Sequence, residues 1–194
     1  NTSSYTFSST EAGTISYSIC GGNLDNASED NNTITFDALA DGNYSNCKIS
    51  VTDNASNTSD NLSVSSFTID TTAPTLSVVS TVTNPTKDTT PNYAFSSNEA
   101  GTISYGGSCS GTTSAINGTN SISFGTLSEG SYSCTITVTD SAGNASIALS
   151  VNTFVIDTTA PTFSSIYPVD NQSGVSFYDN ISITFSEAMS ISSL

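Results

Sequence analysis

The side chains able to do chemistry in this chain are carboxylates and thiols. Seventeen acids stand against two bases, Lys48 and Lys87, and histidine is absent, so the net charge is −15. Without histidine, Ser-His-Asp triads and zinc hydrolase sites are excluded. Carboxylates together with Asn and backbone oxygens offer the oxygen-only shell that Ca²⁺ prefers. Three sets have the right types. Asp70, Glu99 and Asp140 with Asn144 form one, Asp157 and Glu187 a second, and Glu11, Asp53 and Asn57 a third. The alternative is that each acid only caps its own turn or is solvated, as Asp and Asn at strand ends commonly are. No stretch has EF-hand spacing, so a site here would be assembled from distant loops. Glu29-Asp30 is a carboxylate pair, but the chain has no Trp to make a sugar platform, and these acids read as a solvated loop.

The four cysteines are Cys20, Cys47, Cys109 and Cys134. Four allow three pairings, and repeat symmetry favours Cys20 with Cys47 and Cys109 with Cys134. A thiolate metal site is the competing reading, but it lacks a CxxC pair and a histidine. Disulfides place the chain in an oxidising compartment.

The elements that must position these groups come in repeats. Asp70-Thr71-Thr72-Ala73-Pro74-Thr75 returns as Asp157-Thr158-Thr159-Ala160-Pro161-Thr162. Proline fixes φ and pushes the residue before it into extended backbone, so each copy predicts a short stiff hinge between tandem modules. Glu11-Ala12-Gly13-Thr14-Ile15-Ser16-Tyr17 matches Glu99-Ala100-Gly101-Thr102-Ile103-Ser104-Tyr105, and Val51-Thr52-Asp53 through Asn57 matches Val138-Thr139-Asp140 through Asn144. Modules are therefore expected at 1–70, 71–157 and 158–194, the first without its first strand and the third incomplete, as in a section of a longer polypeptide.

Within 71–157 the strand-like runs are Leu76 to Val79, Asn92 to Ser97, Thr102 to Tyr105, Ser121 to Phe124, Tyr132 to Thr139 and Ile147 to Ile156. Gly, Asn and Asp clusters separate them, which predicts a small antiparallel sandwich. In such a sandwich the Glu99 turn, the Asp140 loop and the incoming linker with Asp70 share one pole. Tyr132, two residues before Cys134, resembles a tyrosine corner. Tyr44-Ser45-Asn46-Cys47 carries one extra residue, which turns Cys47 to the other face unless a bulge absorbs it.

The linkers, the Val-Thr-Asp-x-Ala-x-Asn loops and the Glu-Ala-Gly turns resemble the bacterial immunoglobulin-like repeats of large surface adhesins and biofilm matrix proteins. Phe185-Ser186-Glu187-Ala188-Met189 resembles a related immunoglobulin-like module of S-layer proteins. The resemblance implies an all-β fold of tandem immunoglobulin-like antiparallel β-sandwiches, extracellular or on the cell surface and not enzymatic, with junctions stiffened by Ca²⁺. The expected role is a stalk or filament segment whose partners are neighbouring modules of the same chain or of identical copies. The alternatives are an adhesin module that grips a surface glycan or protein, and an accessory region of a secreted enzyme. The acidic surface repels nucleic acid, and no apolar run is long enough for membrane insertion as a helix.

Overall fold

A computed structural model describes residues 3–189. In the first module the strands are β1 (Ser4–Ser9), β2 (Gly13–Tyr17), β3 (Asn26–Ala27), β4 (Asp30–Thr35), β5 (Gly42–Tyr44), β6 (Lys48–Thr52), β7 (Leu62–Ser63) and β8 (Phe67–Ile69). They pair as β1–β4, β3–β2–β6–β7 and β5–β8, all antiparallel. The second module adds one strand at its start. It comprises β9 (Leu76–Ser80), β10 (Asn92–Ser97), β11 (Gly101–Gly106), β12 (Ser114–Ala115), β13 (Gly118–Ser123), β14 (Gly130–Tyr132), β15 (Thr135–Thr139), β16 (Leu149–Ser150) and β17 (Phe154–Ile156). The pairing repeats as β13–β10–β9, β12–β11–β15–β16 and β14–β17. Beyond the second linker, β18 (Phe163–Tyr167) and β19 (Ser182–Phe185) form an antiparallel pair.

Period-2 patterning decides which faces close on each other. Tyr93 and Phe95 of β10, Ile103 of β11, Ile122 of β13 and Ile136 and Val138 of β15 all point into one core with Phe124 and Phe154. The first module has its own smaller core around Phe7, Ile15, Ile34, Phe36 and Ile49. Both predicted disulfides are present, Cys20–Cys47 and Cys109–Cys134, and each lies within its module's core.

The runs Tyr132 to Thr139 and Ile147 to Ile156 each divide into two strands, because the hairpin passes from one sheet to the other. Tyr132 pairs with Phe154 and Thr135 with Ser150, which leaves Ser133-Cys134 facing Val151-Asn152-Thr153. In the first module Tyr44 pairs with Phe67 and Lys48 with Ser63, so Ser45-Asn46-Cys47 faces Val64-Ser65-Ser66. The inserted residue thus falls in the crossover, where it evens the two sides instead of shifting the register. Val64 N–H donates to Cys47 O at 2.9 Å as Val151 N–H donates to Cys134 O at 2.9 Å, and Cys47 stays inward. Both tyrosine corners form, with Tyr44 OH donating to Ala40 O and Tyr132 OH to Ser128 O, each at 2.9 Å.

Candidate metal centre at the module junction

The Glu99 turn is built locally. Ser97 Oγ donates to Glu99 O at 2.6 Å and accepts Glu99 N–H at 3.3 Å. Gly101 then lets the turn lie flat on β15, since a Cβ there would meet Thr139 O and the Val138 side chain. This close approach is the physical reason for glycine in the Glu-Ala-Gly motif. Opposite it, Asp140 organises its own loop. Its Oδ1 accepts Ala142 N–H at 2.8 Å and Asn144 N–H at 2.9 Å, and its Oδ2 accepts Asn144 Nδ2 at 2.8 Å. These bonds, the Asn144 side chain first among them, hold the Asp140 carboxyl below its ordinary range.

The linker completes the pole. Asn144 Nδ2 also donates to Asp70 O at 3.1 Å, Thr75 N–H donates to Asn98 Oδ1 at 2.7 Å, and Asn98 N–H donates to Thr75 O at 3.3 Å. As a result Asp70, Glu99 and Asp140 each bring a carboxylate oxygen to one place, with these oxygens within 4.8 Å of one another. Among the described residues no other group of three or more acids or cysteines converges in this way. All three residues are half-buried. The cluster has the donor chemistry to coordinate a divalent cation, and turn capping by Asp140 is part of the same arrangement. Asn144 braces the cluster through its amide nitrogen, which donates to the Asp70 backbone carbonyl and to the Asp140 carboxylate.

The other two sets also gather. Asp157 and Glu187 line one cleft with Lys87 and the Thr158–Pro161 linker. Ser186 binds Thr162 there through its N–H at 2.8 Å and its Oγ at 2.9 Å, as Asn98 binds Thr75, which puts Glu187 in the place of Glu99. One carboxylate oxygen of Glu187 is buried without a hydrogen-bond partner. Glu11, Asp53 and Asn57 line a cleft at the first module's pole, with Asn57 Nδ2 on Asp53 Oδ2 at 2.9 Å.

Sequence reasoning missed Asp41 and Glu129, which grip the linkers from the preceding module. Asp41 Oδ1 accepts Thr71 N–H at 3.0 Å and Thr71 Oγ1 at 2.8 Å, while its Oδ2 accepts Thr72 Oγ1 at 2.8 Å. Glu129 accepts Thr158 Oγ1 at 2.9 Å and Thr159 Oγ1 at 2.8 Å on Oε2. The signal was available: each acid precedes Gly-x-Tyr, and each Thr-Thr pair sits in the repeated hexapeptide. The threonine hydrogen bonds hold both carboxyls below their ordinary range. A carboxyl lowered in the folded state contributes above its unfolded pKa, and that contribution fades as pH falls through the lowered value. The clamps therefore hold in full at neutral pH, begin to weaken below about pH 4 and are lost only as pH falls through the lowered values. Asp41→Ala is expected to speed Thr71 amide exchange several-fold at pH 7, with an effect that shrinks progressively as pH falls below about 4. Equal exchange in both proteins at pH 7 would remove the clamp.

Two sandwich modules, each with a disulfide in its core and each followed by an acid-gripped proline linker, define a tandem-repeat protein of an oxidising, extracellular setting. Residues 74–158 and 157–194 each match a family described as bacterial Ig-like domain, and residues 30–97 match bacterial Ig-like domain (group 3). The chain is a tandem array of bacterial Ig-like domains over most of its length, a structural or adhesive extracellular repeat protein of the cell surface and not an enzyme. Among solved structures it is similar to the D00-D0 domain of intimin, at 12% identity and a TM-score of 0.31 over 77% of this chain and 92% of that one. No curated protein matches it in sequence. No helix of the described residues is long and apolar enough to cross a membrane.

Proposed function

We propose that the array, divided at 1–70, 71–157 and 158–194, is a stalk or filament segment whose junctions are stiffened by Ca²⁺. The observation that carries this reading is the convergence of Asp70, from the end of one module, with Glu99 and Asp140 of the next, in a chain with only two lysines. Like charges this close repel one another, and a divalent cation turns that repulsion into a cross-link between modules. Asp157 and Glu187 supply the same function at the following junction, and Glu11, Asp53 and Asn57 at the pole of the first module. An affinity of roughly 10⁻⁴–10⁻³ M suits an extracellular module. Repeated, near-identical junctions serve geometry, and this favours the stalk over an adhesin that reads a glycan or protein through its loops.

Small-angle scattering with calcium and with chelator tests the reading. Chelation is expected to shorten the mean end-to-end span while both disulfide-bonded sandwiches stay folded. Glu99→Gln is expected to weaken calcium binding at least about tenfold, since losing an outer-shell partner alone costs that much. A span indifferent to chelator, in a protein that takes up no calcium, would leave a metal-free hinge held by the threonine clamps.

A further inference from the structure

The opening segment of the second module changes sheets. β9 pairs with β10, and the chain then crosses so that residues 82–86 lie along β17, the module's last strand, which pairs on its other side with β14. Thr86 N–H donates to Val155 O and Asp157 N–H donates to Thr86 O, each at 2.9 Å, as a parallel bridge around Ile156. Pro85 has no N–H to give, and two asparagine side chains carry the seam past it. Asn84 Oδ1 accepts Val155 N–H at 2.9 Å. Asn152 Oδ1 accepts Val82 N–H at 3.0 Å, and its Nδ2 donates to Val82 O at 2.9 Å. Val82, Phe154 and Ile156 are buried in the core beneath, so the seam lies over packed side chains.

Parallel direction decides what tension does to this seam. Residues 70–75 lead through β9 to Val82, where the seam starts, and residues 157–162 leave from Asp157, where it ends. A pull between the two linkers therefore draws the paired segments lengthwise past each other, and the bonds are strained together. In an antiparallel pair both linkers would leave from one end, and the same pull would part the bonds one after another.

We infer that the seam between residues 82–86 and β17 is a tension lock, which sets how long the second module stays folded when the array is pulled through its linkers. Forced unfolding is governed by the unfolding rate, and bonds that must all yield before the chain extends slow that rate. Asn84 and Asn152 serve the lock by supplying bonds where the backbone at Pro85 cannot. The inference rests on the reading of the chain as a stalk or filament segment whose linkers transmit force, and it needs no cation.

Force-clamp measurements on the whole 194-residue chain test it, with click handles in place of Thr72 and Ala160, or of Lys87 and Ala160. All are made in chelator, which keeps the result separate from the calcium proposal. The first pair loads the seam lengthwise, and the second parts it from the end at Thr86 and Asp157. The grip of Glu129 on Thr158 and Thr159 is loaded alike by both. At one force the first extension is expected at least about tenfold later through the linkers, because several bonds must yield at once. Asn152→Ala removes both bonds to Val82 and is expected to shorten the linker-loaded lifetime at least about tenfold, with little effect on the other geometry. Asn84→Ala is expected to shorten it several-fold. Equal lifetimes of the unsubstituted seam in the two geometries overturn the lock, and so do linker-loaded lifetimes that neither asparagine substitution changes. Shortening by Asn152→Ala of the same size in both geometries makes that side chain a general brace and overturns it as well.

Discussion

Replacing Phe154 with alanine is expected to lower the stability of the second module by about 3–5 kcal/mol, the usual cost of emptying a buried aromatic site. Phe154 is fully buried and stacked between Phe124, at a centroid distance of 5.9 Å, and Tyr132, at 5.5 Å. It closes the end of the core where β14 and β17 pair apart from the larger sheet, so little can collapse into the cavity. A domain of this size has about 5–15 kcal/mol in all, and the change takes a large share of it. The counterpart Phe67 stacks on Phe36 and Tyr44 at 5.4 Å each but is only half-buried, so Phe67→Ala is expected to cost less. Denaturant unfolding read from tyrosine fluorescence, with module-resolved exchange to assign the transitions, measures both. Equal losses at the two positions would show that burial does not set the difference.

Reduction of the disulfides is the second large effect. The bonds span sequence separations of 27 and 25 residues, and loops of this length restrict the unfolded chain by about 3.5 kcal/mol each on the chain-entropy account. The modules do not have equal reserves. The second packs Val82, Tyr93, Phe95 and Val138 almost completely, whereas in the first Tyr5 and Val51 stay half-buried beside a β1 that, among the described residues, pairs only with β4. Reductant is therefore expected to unfold the first module at a lower temperature than the second, and a Cys20→Ser/Cys47→Ser double variant is expected to do the same without reductant. If the second module melted first, the extra strand β9 would not be the source of the difference.

The linker is held in two independent ways, and on the proposal above these turn a proline hinge into a fixed joint. Asp41 and Glu129 hold the Thr-Thr pair to the module behind, through hydroxyls that need no ion. Asp70, Glu99 and Asp140 face the module ahead, where three carboxylates leave the joint unfavourable without a counter-charge. The first part is expected to titrate with acid, and on the calcium proposal the second is expected to respond to chelator. Measuring flexibility against both variables separates the two contributions.

The amino-acid order by itself determined the periods, the strands they encode, the proline hinges and the pairing of cysteines by repeat symmetry. These are local properties, written in side-chain alternation and in turn residues a few positions apart. It also carried the Glu-Ala-Gly and Val-Thr-Asp loops that end at the acid cluster, because antiparallel direction alone places alternate turns at one pole. Tertiary structure decided the rest. Only the folded chain brings Asp70 to Asp140 and Asp41 to Thr71, turns the Asn144 amide nitrogen toward the Asp70 carbonyl and the Asp140 carboxylate, and absorbs the extra residue before Cys47 in the crossover between sheets. Each of these depends on how two sheets stack and where a hairpin changes sheet, and that geometry is set by packing across the core between residues far apart in sequence.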